Sequence, residues 1–203
     1  MIYAETAQKC FTDFKAALDA IIVTDASGMS LDFISGIAKT CEVVVSGHRQ
    51  LQTEPQERRR KVMFIGNGGS AAIASHMAID FWKNGRIKAT AFNDPSLLTC
   101  IANDYGYEFV FEKPIEMFAD NGDVLIAISS SGNSKNILNG ADMAVKKSCP
   151  VITLSGFKPD NPLRKKGGIN FYVPSNVYGI VEVIHQYICH LILDTIMDGG
   201  ACG

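Results

Sequence analysis

The sequence has 203 residues, of which 47% are hydrophobic and 20% are charged, and its formal net charge is −2 at pH 7. This composition is typical of one soluble globular domain of ordinary size. The balanced charge gives no general reason to expect a nucleic-acid partner. No segment has the roughly 20 uninterrupted apolar residues that span a bilayer, so we expect no membrane partner.

The N-terminus and the cysteines both favour the cytoplasm. Charged side chains interrupt the first 20 residues, so we expect no secretory signal there. The 6 cysteines occur singly, without a CxxC pair. That pattern favours reduced thiols over a disulfide framework or a zinc ribbon.

Two helical patterns come first along the chain. Apolar side chains recur at intervals of four and three over residues 7–21, and again over residues 31–45. Turn residues at 24–28 separate them, which predicts a helical hairpin. We assign residues 1–55 to this hairpin, which could pack on its own domain or on another subunit, and we favour a role in oligomerisation. Residues 56–203 form the rest of the same domain.

Short apolar strands alternate with helices from residue 61 onward. Continuous apolar strands of this kind are typical of a parallel sheet that is covered on both faces. The pattern predicts an α/β fold with a flavodoxin-like, doubly wound parallel sheet of five strands. The strands are predicted at residues 62–65, 87–92, 124–128, 151–154 and 171–173.

Two polar loops follow the first and third strands, and each opens a helix. Ligands bind at the carboxyl ends of these strands in flavodoxin-like sheets. Glycines let the backbone approach an anion, and helix N-termini offer unpaired N–H groups. The loops could also be only tight turns and N-caps, and neither matches a Walker A or GxGxxG motif. Together they favour binding of a phosphate ester. The first contains Gly66, Asn67, Gly68, Gly69 and Ser70, and the second contains Ser129, Ser130, Ser131, Gly132, Asn133 and Ser134.

Candidate acids, bases and metal ligands lie on two predicted helices. His76 and Asp80 are four residues apart, so they share a helix face. The last helix, 178–197, carries a polar arc opposite an apolar face. Such an arc is often only a solvent-facing surface. The pattern alone does not distinguish that surface from a functional site. The arc contains Glu182, His185, Gln186, Cys189 and His190.

The order and spacing of these motifs resemble the sugar isomerase (SIS) domain, and within it the phosphoheptose isomerase family. The resemblance runs from about Lys61 to Asp194 and also includes the segments 76–81 and 103–107. It implies a homotetramer with sites at subunit boundaries, a sugar-phosphate substrate and no nucleotide cofactor. Carried over by position, it implies a phosphate site at Ser129, Ser130, Ser131 and Ser134, a sugar site at Asn67, Gly68, Gly69, Ser70 and Asp104, catalytic roles for Asp80 and His190, and zinc ligands at His76, Asp80, Glu182 and His190.

Two positions depart from the family pattern. Asp80 stands where the family has its catalytic glutamate, and Glu182 stands where many members carry glutamine. Aspartate is one methylene shorter, and a displacement on the order of 1 Å can cost roughly 100-fold in rate. We hypothesise that the pair has exchanged roles, so that Asp80 orients or binds metal and Glu182 acts as the catalytic base. Two imidazoles with two carboxylates would neutralise a divalent cation, which suits zinc.

The leading functional hypothesis is therefore an enzyme. The resemblance implies isomerisation of sedoheptulose 7-phosphate to D-glycero-D-manno-heptose 7-phosphate through an enediolate. One alternative is an isomerase or lyase for a different phosphosugar. Another is a non-catalytic SIS module that binds a sugar phosphate or a partner protein such as a replication initiator. The presence of His76 and His190 favours the enzyme.

Overall fold

The computed structural model describes residues 2–49 and 60–199, so the predicted boundary at residue 55 lies outside the described residues. Seven α-helices and seven strands make up this part of the chain. The helices are α1 (Ile2–Asp19), α2 (Phe33–Arg49), α3 (Gly69–Lys83), α4 (Pro95–Asp104), α5 (Glu112–Phe118), α6 (Lys135–Lys146) and α7 (Tyr178–Asp198). The strands are β1 (Ile22–Asp25), β2 (Ser30–Leu31), β3 (Val62–Gly66), β4 (Ala89–Ala91), β5 (Val124–Ser129), β6 (Val151–Ser155) and β7 (Ile169–Tyr172).

The strands form one sheet in the order β2-β1-β7-β6-β5-β3-β4. Strands β3 to β7 are parallel, and their order is the predicted flavodoxin-like one. Gly66 at the end of β3 is in register with Ile128, one residue before the end of β5. The two polar loops therefore leave the sheet side by side, at the place where this topology puts ligands.

The N-terminal region is not the plain helical hairpin that the sequence predicted. Between α1 and α2 lies a β-hairpin, and β1 pairs antiparallel with β7, with Val23 opposite Phe171. The sheet thus has seven strands instead of five. The physical reason is twofold: β1 is rich in β-branched residues, and the outer edge of β7 offers unpaired backbone groups. Asp25 fixes the turn, because its carboxylate accepts the N–H groups of Ser27 and Met29.

Two apolar clusters cover the sheet, one on each face. Alternate residues of β3 point to opposite sides, so Phe64 packs beneath α2, α3 and α7 while Ile65 packs beneath α4, α5 and α6. By length and mean hydropathy (1.3) α7 could cross a membrane, contrary to the sequence expectation that no segment could. Half of that apolar stretch is buried inside the protein. Helix α7 is accordingly a core helix of this fold.

Candidate functional site

The first polar loop is a tight connection between β3 and α3. Gly68 precedes the helix with φ 53°, in the left-handed region that glycine adopts without strain. A Cβ at Gly66 would overlap the backbone carbonyl of Ser70, so the chain can turn this closely only with glycine there. Ser70 is buried and Asn67 is half-buried. The loop directs the start of α3, with its unpaired N–H groups, towards the centre of the sheet edge.

The second polar loop is held closely by its surroundings. Gly132 has φ 63°, and a Cβ there would overlap the side chain of Asn161. The N–H of Gly156 donates to the backbone oxygen of Ser130 over 3.0 Å. The Ser130 side chain is different: the residue is only 6% exposed, yet its hydroxyl has no hydrogen-bond partner among the described residues. A buried hydroxyl without a partner is costly unless a ligand satisfies it.

One pocket of about 120 Å³ joins the two loops and the start of α7. It brings together six of the predicted substrate residues, two from the first loop and four from the second, with the predicted base. Two helix N-termini, those of α3 and α6, adjoin it, and their dipoles favour an anion. The lining residues are Asn67, Ser70, Ser129, Ser130, Ser131, Ser134, Tyr178 and Glu182.

Glu182 belongs to this pocket through a close contact between α7 and α3. A Cβ at Gly69 would overlap the Glu182 carboxylate, so glycine is what allows the carboxylate to lie against the start of α3. The positive end of a helix dipole stabilises a carboxylate in such a position. Glu182 is half-buried there and lines the pocket.

A second group of side chains lies where α3 and α7 run side by side. His76 Nε2 is 3.4 Å from Asp80 Oδ2, and His190 Nδ1 is 3.9 Å from the same oxygen. The two imidazole rings are 5.3 Å apart between centroids. All three ligand atoms lie within 4.8 Å of one another. Two imidazoles and one carboxylate are a donor set that could hold a divalent transition metal.

Glu182, the predicted fourth metal ligand, is not part of that group. Its carboxylate lies against Gly69 and lines the other pocket. Asp104 is also apart from the pocket residues: it ends α4, is exposed, and accepts a hydrogen bond from Asn103 over 2.8 Å. The predicted site residues thus divide into a loop pocket, a His-Asp-His group and one outlying aspartate.

The polar arc predicted on α7 is only partly a surface. His185 and Cys189 are completely buried. His185 Nε2 lies 3.1 Å from the Ser155 carbonyl oxygen, and because a carbonyl only accepts, that nitrogen carries the hydrogen. Burial lowers the pKa of His185 to about 4 and raises the pKa of Cys189 to about 12. These two residues belong to the core, while Glu182 and His190 remain accessible.

Sequence reasoning missed three residues at the pocket. Tyr178 lines it one helical turn before Glu182, a spacing that could have revealed it. Asn136 lies two residues after the last serine of the second loop and bonds to Asn67. Tyr107 reaches Asn67 from a 3₁₀ turn, and its hydroxyl donates to Asn67 Oδ1 over 3.2 Å. No local pattern indicates the last two contacts, which join distant segments.

This chain is similar to proteins of one family. The SIS domain family matches residues 33–156. The phosphoheptose isomerase of Helicobacter hepaticus is 40% identical over 144 residues, which cover 67% of this chain and 72% of that protein. The phosphoheptose isomerase of Cytophaga hutchinsonii is 34% identical over 181 residues, which cover 83% and 90%.

Solved structures of phosphoheptose isomerases are also similar to this chain. The phosphoheptose isomerase of Neisseria gonorrhoeae superposes with a TM-score of 0.77 at 28% identity, over 96% of this chain and 99% of that one. The enzyme of that name from Francisella tularensis gives a TM-score of 0.81 at 24% identity, over 98% and 100%. The second match shows a shared fold.

Proposed function

Because this chain belongs to the SIS-domain phosphoheptose isomerase family and is a phosphosugar isomerase, we propose that it converts sedoheptulose 7-phosphate to D-glycero-D-manno-heptose 7-phosphate. One observation carries the proposal: a single pocket combines an anion-binding serine loop, a second glycine-rich loop and an accessible carboxylate. A sugar phosphate offers one partner for each of these three features.

The phosphate group is assigned to the serine loop. Its candidate ligands are the hydroxyls of Ser129, Ser130, Ser131 and Ser134, together with the N-terminus of α6. The buried Ser130 hydroxyl supports this assignment, since a phosphate oxygen would supply the partner that it lacks among the described residues. Binding the phosphate there contributes remote binding energy that holds the reacting carbons in place.

The proton transfer is assigned to Glu182. Moving the carbonyl from C2 to C1 requires a base to take a proton from C1, and the same group then returns a proton to C2. Negative charge develops on the oxygen of the enediolate in between. The start of α3 and the side chains of Asn67 and Ser70 are the candidate donors for that oxygen, since they adjoin or line the same pocket as Glu182. Gly68 and Gly69 have no side chains, so they leave the backbone at the start of α3 accessible to the substrate.

The His-Asp-His group is assigned to the oxygen atoms of the substrate. Asp80 lies between two imidazoles and orients them, whereas His190 exchanges protons with the substrate hydroxyls. Glu182 and His190 are eight residues apart on α7, a rise of about 12 Å. We therefore propose that the sugar runs along α7 from the serine loop, with its C1–C2 end between these two residues. Asp104 would join the site from a neighbouring subunit.

Zinc is proposed as a bound metal. The donor set fits it, because His76, Asp80 and His190 bring two nitrogens and a carboxylate oxygen within 4.8 Å of one another. These three residues would hold the ion, and Glu182 could approach as a fourth ligand by a change of rotamer. A bound zinc ion would supply Lewis-acid stabilisation of negative charge on oxygen.

A homotetramer with sites at subunit boundaries is proposed for the assembly. Helix α1 supports it, since Tyr3 is 89% exposed and Phe11 is 67% exposed on a helix with one buried residue. Ile79, Val183 and Tyr187 form a further exposed apolar surface beside the His-Asp-His group. A second subunit covering that surface would also enclose the site. The free cysteines among the described residues accord with a cytoplasmic location.

The experiment is an NMR time course with sedoheptulose 7-phosphate and a metal analysis of the purified protein. We expect the anomeric signals of the heptose 7-phosphate aldose to appear, and about one zinc per chain. Binding without aldose product would contradict the enzyme and favour the non-catalytic module. Turnover of another ketose phosphate in its place would indicate a different phosphosugar isomerase.

A further inference from the structure

A pair of asparagine side chains ties the two pocket loops together. Asn136 lies in the first turn of α6 and is only 3% exposed. Its Nδ2 donates to Asn67 Oδ1 over 2.8 Å, and Asn67 Nδ2 donates back to Asn136 Oδ1 over 3.0 Å. Asn67 lines the pocket, whereas Asn136 is not among the lining residues. The buried member of the pair therefore acts on the pocket only through the accessible one.

The surrounding donors determine which way both amides point. An asparagine amide can be flipped, and its orientation follows from its partners. The backbone N–H of Ile137, which can only donate, is 3.0 Å from Asn136 Oδ1. Asn136 must therefore present its oxygen there, and the same oxygen receives Asn67 Nδ2. Tyr107 donates to Asn67 Oδ1, which agrees with this orientation.

This network leaves Asn67 with one free group. Its oxygen already accepts two hydrogen bonds, from Asn136 and from Tyr107. The Asn67 Nδ2 carries two hydrogens. One is donated to Asn136 Oδ1, and the other has no acceptor among the described residues. Towards a ligand, Asn67 is thus a donor. A flipped amide would present an oxygen instead, which would repel an oxygen that gains negative charge.

We propose that Asn136 is a positioning residue: it fixes the Asn67 amide so that an N–H faces the substrate oxygen that becomes negative in the reaction. This inference rests on the proposed isomerase function. Removing one oxyanion donor typically costs on the order of 100- to 1,000-fold in kcat, so releasing its orientation should cost roughly tenfold or more. The serine loop should be unaffected, because its phosphate ligands do not depend on Asn67.

The test is a double-mutant cycle of Asn136→Ala and Asn67→Ala, measured as kcat, KM and affinity for inorganic phosphate. We expect Asn136→Ala to lower kcat roughly tenfold while phosphate affinity changes less than about twofold. In the Asn67→Ala background, Asn136→Ala should have no further effect on kcat. Equal losses in both backgrounds, or a parallel loss of phosphate affinity, would overturn the inference in favour of a structural role.

A matched control comes from the same helix. Asn139 donates to the backbone oxygen of Glu108 over 3.1 Å and does not touch Asn67. Asn139→Ala removes one amide hydrogen bond from α6 while the asparagine pair stays intact. We expect its kcat to remain within about twofold of the wild-type value, since the lost bond contributes only to stability.

A ligand-free readout separates this inference from the proposed function. The side-chain NH₂ signals of Asn67 can be assigned by their loss in Asn67→Ala. We expect Asn136→Ala to shift them and to speed their exchange with water about tenfold, because the Asn67 amide loses the hydrogen bond that its Nδ2 donates and one of the two that its Oδ1 accepts. Unchanged Asn67 signals would refute the positioning role. Failure of the wild-type protein to turn over sedoheptulose 7-phosphate would refute only the proposed function.

Discussion

Glu182 and His185 lie three residues apart on α7 but differ in their exposure to solvent. Glu182 is half-buried, and His185 is completely buried. Glu182 lines the pocket beside the start of α3, where a ligand could contact it. His185 is completely buried, and its Nδ1 has no hydrogen-bond partner among the described residues. Burial keeps this imidazole neutral by lowering its pKa to about 4. Histidine is the residue type that most often serves as a catalytic base, but His185 is a core residue. On this part of α7 the candidate base is Glu182.

Glu182→Gln tests the exchange of roles between Glu182 and Asp80. We expect kcat to fall by about 100- to 10,000-fold, because loss of a general base has that effect, with little change in thermal stability. A steady-state assay with sedoheptulose 7-phosphate measures it. Glu42→Gln, an exposed glutamate on α2, is the matched control and should keep full activity. Full turnover by Glu182→Gln would show that Glu182 is not the base.

His185 makes stability depend on pH. Its pKa is about 4 in the folded protein and about 6.5 when unfolded, so between these values only the unfolded chain binds the proton. The free energy of unfolding should therefore fall as pH decreases from about 6.5 to about 4, by up to about 3 kcal/mol. Urea denaturation across this range measures it. In His185→Leu this part of the slope should vanish, and an identical slope in both proteins would contradict the assignment.

At the scale of elements, the site depends on how closely α7 approaches α3. Helical periodicity predicted that His76 shares a face with Asp80, and both the spacing and the face are confirmed by the 3.4 Å contact. Periodicity could not show that the start of α3 touches Glu182, since that contact depends on the packing of two helices across the sheet face. The absence of a side chain at Gly69 is what permits it.

Gly69→Ala tests this close approach. The new methyl group would overlap the Glu182 carboxylate, which is the mobile end of a flexible side chain, so the fold should survive while the carboxylate moves. A displacement on the order of 1 Å should lower kcat roughly 100-fold. Gly179→Ala is the control, because a Cβ there meets no atom within 4 Å. If kcat in Gly69→Ala equals that of the control, the contact does not position the base.

At the level of the whole molecule, a single chain leaves much apolar surface exposed. Residues 2–12 of α1 are all exposed, including Phe11. The Ile79, Val183 and Tyr187 surface beside the His-Asp-His group is uncovered too. Burial of one phenylalanine contributes about 1.5–3 kcal/mol, so several such residues can hold subunits together. Assembly and activity should therefore depend on each other.

Phe11→Asp should dissociate the assembly. A buried carboxylate without a partner is costly, so the mass in light scattering should fall from about four chains of 22.0 kDa to a smaller species. Ala16→Asp adds the same charge at an exposed position on the other side of α1 and should leave the mass unchanged. If Phe11→Asp keeps the mass of the wild-type protein, α1 is not a subunit interface.

The parallel core of the sheet and the two loops at the carboxyl ends of its strands could be predicted from the sequence. Local rules suffice for these features: continuous apolar runs mark buried strands, and glycine and serine mark turns that open helices. Helical spacing also placed His76 and Asp80 on a shared face, whereas the roles of His76, Asp80 and His190 were implied only by the family resemblance.

Other features depend on contacts between segments that are distant in the sequence. Strand β1 joined the sheet because β7 offered a free edge far away in sequence. Glu182 lies with the loops and not with the histidines, His185 is buried, and Asn136 meets Asn67 across 69 residues of chain. The physical reason is common to all of these: periodicity states which face of an element a residue occupies, but packing between elements selects what that face meets.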